Sequence, residues 1–326
     1  MIKNNKIISK IFLLLVVLLS SCTPDNNPSL SDTDTTTDPS LTDSVTDSTD
    51  SATDSTDSST DSTSDSITNT TTGPDYVGNH YSMPEKYNSY YNKLSSSPTK
   101  NDLKTLINQR TQRSYNYVRD NMAETDRDWN LSPDKNDKNP YMRLFYAGYN
   151  FSASTAGKFN DFNNLWDREH IWAKSYGGAF GTSLGPGTDF HHLRACDKQN
   201  NNSWRNSRNF GDVISGQTGK DNKGYDSGKY SGGALNGVYE PLDHDKGDVA
   251  RACFYMALIY PNNCKLVNSY PGTGTSLGHL DTLLKWHELD PVDEFEMNRN
   301  NFIYDNHQYN RNPFIDHPEW AHLGYF

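Results

Sequence analysis

The stretch TDSVTDSTDSATDSTDSSTDSTSDS (42–66) decides which part of this chain can fold. Across 23–75 the composition is dominated by Ser, Thr and Asp, with twelve Asp and no Lys, Arg or Glu. Such a segment has too little apolar surface to offset the entropy of ordering it, so it reads as a disordered stalk. As flexible coil it spans roughly 40 Å, and its like charges extend it further. Any core must therefore be built from residues 76–326, about 250 residues, which is enough for one large domain. The net charge of −11 misleads in the same way. Three lysines before residue 23 and twelve aspartates in the stalk leave 76–326 at only −2. A near-neutral domain offers little long-range attraction to a polyanion, so any such ligand has to be held by local contacts.

Residues 1–22 read as a targeting leader. Lys3, Lys6 and Lys10 precede an apolar run from Ile11 to Leu19. That run is too short for a membrane-spanning helix, which needs about 20 residues, and suits a signal sequence. It ends in Leu19-Ser20-Ser21-Cys22, which resembles the lipobox of bacterial lipoproteins. The resemblance implies lipidation at Cys22, and two acyl chains anchor stably where one is marginal. The expected location is the outer face of a bacterial membrane, or the medium. Cys196, Cys253 and Cys264 remain, an odd number that cannot all pair within one chain. No CxxC pair is present, which argues against a structural zinc site.

From Tyr76 onward the pattern predicts an α+β domain, with helices on both sides of a polar, strand-containing middle. Leu103, Leu106, Ile107 and Val118 give helical spacing across 100–120. Val249, Cys253, Met256 and Tyr260 do the same across 246–260, with Pro261 as the stop, and this makes Cys253 a core residue. Asp290-Pro291-Val292-Asp293 predicts a capped helix start leading through about Tyr304.

The chemistry concentrates in that middle. WDREHIWAKSYGG (166–178) sets Glu169 beside His170, and TDFHHLRACDKQNNNSWRNSRNFGD (188–212) follows. On a regular strand, neighbouring side chains point to opposite faces, so Glu169 and His170 can share a target only at a strand end or bulge. Downstream come His191, His192, Arg194, three consecutive asparagines at 200–202, Arg205 and Arg208. Together these supply oxygen ligands for a hard cation, a base and phosphate binders. Zinc fits less well, because no HExxH or matching Cys/His cluster accompanies His191, His192 and Cys196. A nucleophilic triad fits less well, because no Cys or Ser is clearly set beside a His.

REHIWAKS, DFHHLRACD and NSWRNSRNFGD together resemble the endonuclease I family of secreted, sequence-nonspecific nucleases. YEPLDHDKGDVARACFYM (239–256), LKWHELDPVDEFEMNRNNFIY (284–304) and NRNPFIDHPEW (310–320) resemble further family segments in family order. The likeness covers roughly 80–326. It implies a ββα-metal (His-Me finger) nuclease core with flanking helices. It also implies that His170 is the general base and Glu169 a metal ligand, with one asparagine as the second protein ligand. Counting forward from His192 places that asparagine at Asn201, and counting back from Arg205 places it at Asn202. The family usually has Pro where this chain has Ala195, a departure that bears on the shape of the loop.

Oxygen ligands from Glu and Asn suit Mg²⁺, with Mn²⁺ or Ca²⁺ as substitutes, and the resemblance implies DNA as the substrate, with RNA as a second one, cut to 5′-phosphates. Arg205 is the expected phosphate clamp, with Arg168, Arg194 and Arg208 as further phosphate binders. His191 and His192 are expected to orient the loop. No protein partner is inferred. The rival reading is a surface lipoprotein that keeps this fold, degenerate, as a binding module.

Overall fold

An unusually buried helix organises the domain. Asp243–Ile259 is helical over 17 residues, and every residue from Asp245 to Ile259 is buried. Val249, Cys253 and Met256 are thus one buried face among several, the pattern of a helix enclosed on all sides. Asp243 and Asp245 stand in its first turn, where the helix dipole favours acids, and Tyr260 ends it ahead of Pro261. Gly247 is needed where the helix meets Asp290: a Cβ there would lie 2.0 Å from the Asp290 carbonyl oxygen. The Asp290 side chain accepts the Gly247 N–H at 2.8 Å.

The computed structural model describes residues 81–148, 156–177, 180–269 and 274–326. The leader, Cys22 and the 23–75 stalk lie outside the described residues. Among the described residues, no helix is long and apolar enough to cross a membrane. The architecture is α+β. Helices Lys100–Ile107, Leu280–Leu289 and Pro313–Asp316 pack on the central helix. An antiparallel pair, Trp166–His170 with Leu193–Asp197, lies apart from a second sheet. The four strands of that sheet run in the order Asn209–Phe210, Val238–Glu240, Asp226–Ser231, Gln217–Lys220. Its first pair is parallel and the others are antiparallel.

Two expected helices begin or break elsewhere. The segment 100–120 is two helices, Lys100–Ile107 and Tyr115–Asp120, each with its own cap: Thr99 accepts from Asp102 N and Ser114 from Tyr117 N. The break between them is held from far along the chain, by Thr111 N to Gln308 O at 2.9 Å and Arg113 Nε to His307 O at 2.6 Å. Near the C-terminus the helix is Glu294–Phe302, capped by Asp293 rather than by Asp290, which is occupied with Gly247. It continues as a π-helical turn, Ile303–His307. Cys253 is in the core as expected, and Cys196 and Cys264 are likewise buried free thiols.

A buried ionic network locks the Leu193–Asp197 strand to the helices. Arg194 bridges Asp126 at 3.2 Å and Asp248 of the central helix at 3.2 Å. Arg299 reaches the same Asp126 oxygen at 3.3 Å and donates to the carbonyls of Phe190 and Leu193. Arg251 completes the chain to Glu296 at 2.7 Å. Burial pushes the Arg299 pKa down to about 10, with Asp126 pulling the other way. Removing one partner from such a network leaves charge buried without compensation, at a cost of about 3–5 kcal/mol. Asp126→Asn is expected to destabilise the domain by about 3 kcal/mol or more in urea unfolding; a loss of less than about 1 kcal/mol would show that the network is not structural.

Candidate active site

Glu169 and His170 meet at a strand end. His170 is the last residue of Trp166–His170, paired with Leu193, while Glu169 pairs with Arg194. Both side chains line one cleft of about 450 Å³, together with Tyr115, Asp167, Arg168, Lys174, Asn201, Asn202, Asn206 and Ser207. Termination of the strand is what frees the two neighbours from opposite faces.

The surroundings of His170 fix its tautomer. Its Nε2 lies 2.9 Å from the Gly187 carbonyl oxygen, which can only accept, so Nε2 carries the proton and Nδ1 is left as a base. Gly187 is itself closely packed: a Cβ there would lie 1.8 Å from the Gly181 carbonyl oxygen. The imidazole stacks on Tyr115 at 5.6 Å, and His192 sits 5.4 Å away. Burial, and then His192, hold the His170 pKa well below the usual value. His192 bonds the Pro186 carbonyl at 2.6 Å, and burial pushes its own pKa down to about 4. It therefore packs between the 186–188 turn and His170. His191 does not share that position. Its Nε2 meets the Asn310 side chain at 3.2 Å and its ring lies against Tyr255, away from the cleft.

The Glu169 carboxylate is buried and only loosely compensated, with Arg205 Nε at 3.5 Å and the Tyr146 hydroxyl at 3.3 Å. Burial outweighs the attraction of Arg205 and pushes its pKa up to about 7. Arg205 is 1% exposed and does not reach the cleft as a clamp would. Its guanidinium donates to the carbonyls of Ile171 and Arg208 and packs on Phe210 at 4.1 Å. Two other arginines expected at phosphate are also committed elsewhere. Arg194 lies in the ionic network, and Arg208 donates to the carbonyls of Ser203, Trp204 and Gly232. Of the four, Arg168 alone lines the cleft, held over the Tyr115 ring at 3.6 Å with Nη1 on the Tyr115 carbonyl at 3.0 Å.

The asparagine run folds as a π-helical turn, Asn200–Arg205, closed by Asn206 N to Asn201 O at 3.0 Å. A π-turn takes up one residue more than an α-turn, and such turns recur at functional sites. Both ways of counting to the asparagine therefore have a structural counterpart: the turn absorbs the extra residue between the strand and Arg205. Asn200 is wholly buried and ties Tyr146 O to Ser227 O. Asn201 and Asn202 face the cleft, and both donate their amide nitrogens to Asp167. Asn206 and Ser207 follow with φ of 28° and 60°, the left-handed region that ends the turn at the cleft wall.

Among the described residues, no group of three or more His, Cys, Asp or Glu is placed to hold a metal ion. Cys196 is buried and bonded to Phe145 O, so it forms no zinc site with the histidine pair. The donor set that does converge is a carboxylate and two amides. These are hard oxygen donors, and a carboxylate with one loose guanidinium partner has room for a cation.

The endonuclease I family profile matches residues 95–319. The chain belongs to the endonuclease I family. It is 39% identical over 243 residues to an extracellular ribonuclease of Bacillus amyloliquefaciens, covering 72% of this chain and 76% of the relative. It is also 41% identical over 230 residues to an extracellular ribonuclease of Bacillus subtilis (strain 168), covering 68% and 72%. This endonuclease I member is accordingly a secreted nuclease, a phosphodiester hydrolase that binds nucleic acid.

Sequence reasoning passed over several lining residues. Asp167 could have been found, since it shares a strand face with Glu169 two positions on. Lys174 lies within the quoted motif but carried no signal of its own. Tyr115 sits in a helix with no local mark of function. The cleft cations Arg168 and Lys174 are expected to carry phosphate contacts. Arg168→Ala and Lys174→Ala should each flatten the salt dependence of nucleic-acid binding by about 0.7–0.9 in log–log slope, measured by anisotropy in EDTA. Arg208→Ala should leave that slope unchanged.

Proposed function

We propose that this chain is a membrane-anchored, extracellular, sequence-nonspecific and metal-dependent endonuclease that hydrolyses DNA and RNA to 5′-phosphate products. The observation that carries the reading is the convergence of a deprotonated His170 Nδ1 with Glu169, Asn201 and Asn202 in one cleft. Strand, strand and helix follow one another around that cleft as Trp166–His170, Leu193–Asp197 and Asn200–Arg205, and this order supports the ββα-metal reading. Two relatives are named ribonucleases, which supports RNA beside DNA. Cys22, at the end of the leader, supports the lipid anchor.

His170 Nδ1 takes a proton from water as the water oxygen bonds to phosphorus and the bond to the 3′ oxygen breaks; that oxygen takes a proton from solvent to leave as a 3′ hydroxyl, and the phosphate stays on the 5′ side. The Gly187 carbonyl holds the Nε2 proton throughout and favours the imidazolium that forms. Tyr115 and His192 fix the ring plane. Arg168 and Lys174 hold the phosphate, in place of the buried Arg205. Glu169 with Asn202 or Asn201 would hold Mg²⁺, for which Mn²⁺ or Ca²⁺ could substitute. When bound, the cation offsets the charge that builds on the phosphate and the leaving oxygen. Arg205 acts through Glu169, keeping the carboxylate in place.

Supercoiled plasmid relaxation tests the reading. Cleavage with Mg²⁺ should vanish in EDTA, and His170→Ala should lower the rate by about 10²–10⁴-fold. RNA products should end in 5′-phosphates with no 2′,3′-cyclic phosphate, because external water is the nucleophile. Equal rates for the wild type and His170→Ala would overturn the assignment of the base. Cys22→Ser should move the activity from the membrane fraction to the medium; retention at the membrane would overturn the anchor.

A further inference from the structure

Asp167 is the one carboxylate at the cleft whose two oxygens are both spent on the asparagine run. Its Oδ1 accepts Asn201 Nδ2 at 2.5 Å and its Oδ2 accepts Asn202 Nδ2 at 3.2 Å. Asn202 Nδ2 also reaches the Lys198 carbonyl at 2.8 Å. A carboxylate can only accept, so it sorts the two ends of each amide: the nitrogens face Asp167 and the oxygens face away from it. Consecutive residues of an ordinary α-helix diverge by about 100°. Here the π-turn supplies the backbone and Asp167 the two acceptors that gather both amides at one place. Strand alternation puts Asp167 on the same face as Glu169, two residues away, so one strand edge carries both the carboxylate proposed as ligand and the one that orients its partners.

We propose that Asp167 is a positioning residue for the cation site, acting through Asn201 and Asn202 by turning an amide oxygen toward the cation. The assignment rests on the reading of Glu169 and an asparagine as cation ligands. Asp167 itself touches neither cation nor substrate in this role. Carboxylates that orient a metal ligand in this way matter by about 10–100-fold in affinity.

The test is calorimetric titration of Mn²⁺ into the full chain, with thermal unfolding recorded for each variant. Glu169→Gln is expected to lose Mn²⁺ binding, and Asp167→Ala to weaken it by about 10–100-fold. Asp167→Asn keeps one acceptor oxygen and should fall between the wild type and Asp167→Ala; it also carries the test if Asp167→Ala does not fold. In a background where the ligating asparagine is already alanine, Asp167→Ala should cost nothing further, and that missing increment identifies Asn201 or Asn202 as the ligand. Unchanged Mn²⁺ affinity in Asp167→Ala, with or without a lower melting temperature, would overturn the positioning role while leaving the cation site standing. So would an undiminished loss in both asparagine-to-alanine backgrounds. Normal Mn²⁺ affinity in Glu169→Gln would instead overturn the cation site on which the proposal rests.

Discussion

One buried guanidinium holds the cleft together. Arg205 lies against Glu169 at 3.5 Å and donates to the carbonyl of Ile171, so it grips the strand on either side of His170. Its third link, to the Arg208 carbonyl, ties the same point to the end of the π-turn. The ion pair is a loose one, and burial still raises the Glu169 pKa to about 7. Its value lies in geometry rather than in stability, which is the usual balance for a buried charge pair. With Arg205 fixed, the strand end and the asparagine turn face one cleft.

The network behind the cleft has a different task. Asp126, Arg194, Asp248 and Arg299 fasten the Leu193–Asp197 strand to helices that are distant in sequence. The strand–strand–helix unit is too small to hold itself: its two strands are five residues each and its helix is six. Long-range pairs therefore set its position, and the short elements supply only the chemistry. The polar, nearly neutral domain is consistent with that division. Most of its arginines are spent internally, and few are left for a polyanion.

The parts legible in the sequence were those set by local chemistry. Glu169 and His170 were readable from their adjacency taken together with the 188–212 segment and the family resemblance, and the central helix from its apolar spacing and Pro261. The fates of the arginines were not. Nothing near Arg194 announces Asp126 or Asp248, and Arg205 and Arg208 look as free as Arg168 until the fold closes around them. The break between residues 107 and 115 depends on Gln308 and His307, almost two hundred residues away. The asparagine ambiguity was legible as an ambiguity, because an extra residue shows in the count. The π-turn that takes up the extra residue could be seen only in the backbone.

The central claim is that this cleft separates a cation site from a free base. The most direct measurement is an anomalous diffraction map from crystals of the protein soaked in Mn²⁺. The account predicts a single peak in the cleft, bonded to a Glu169 carboxylate oxygen and an amide oxygen of Asn201 or Asn202, with His170 Nδ1 outside its coordination shell. A peak bonded to His170, or a cleft that stays empty at saturating Mn²⁺, would contradict it.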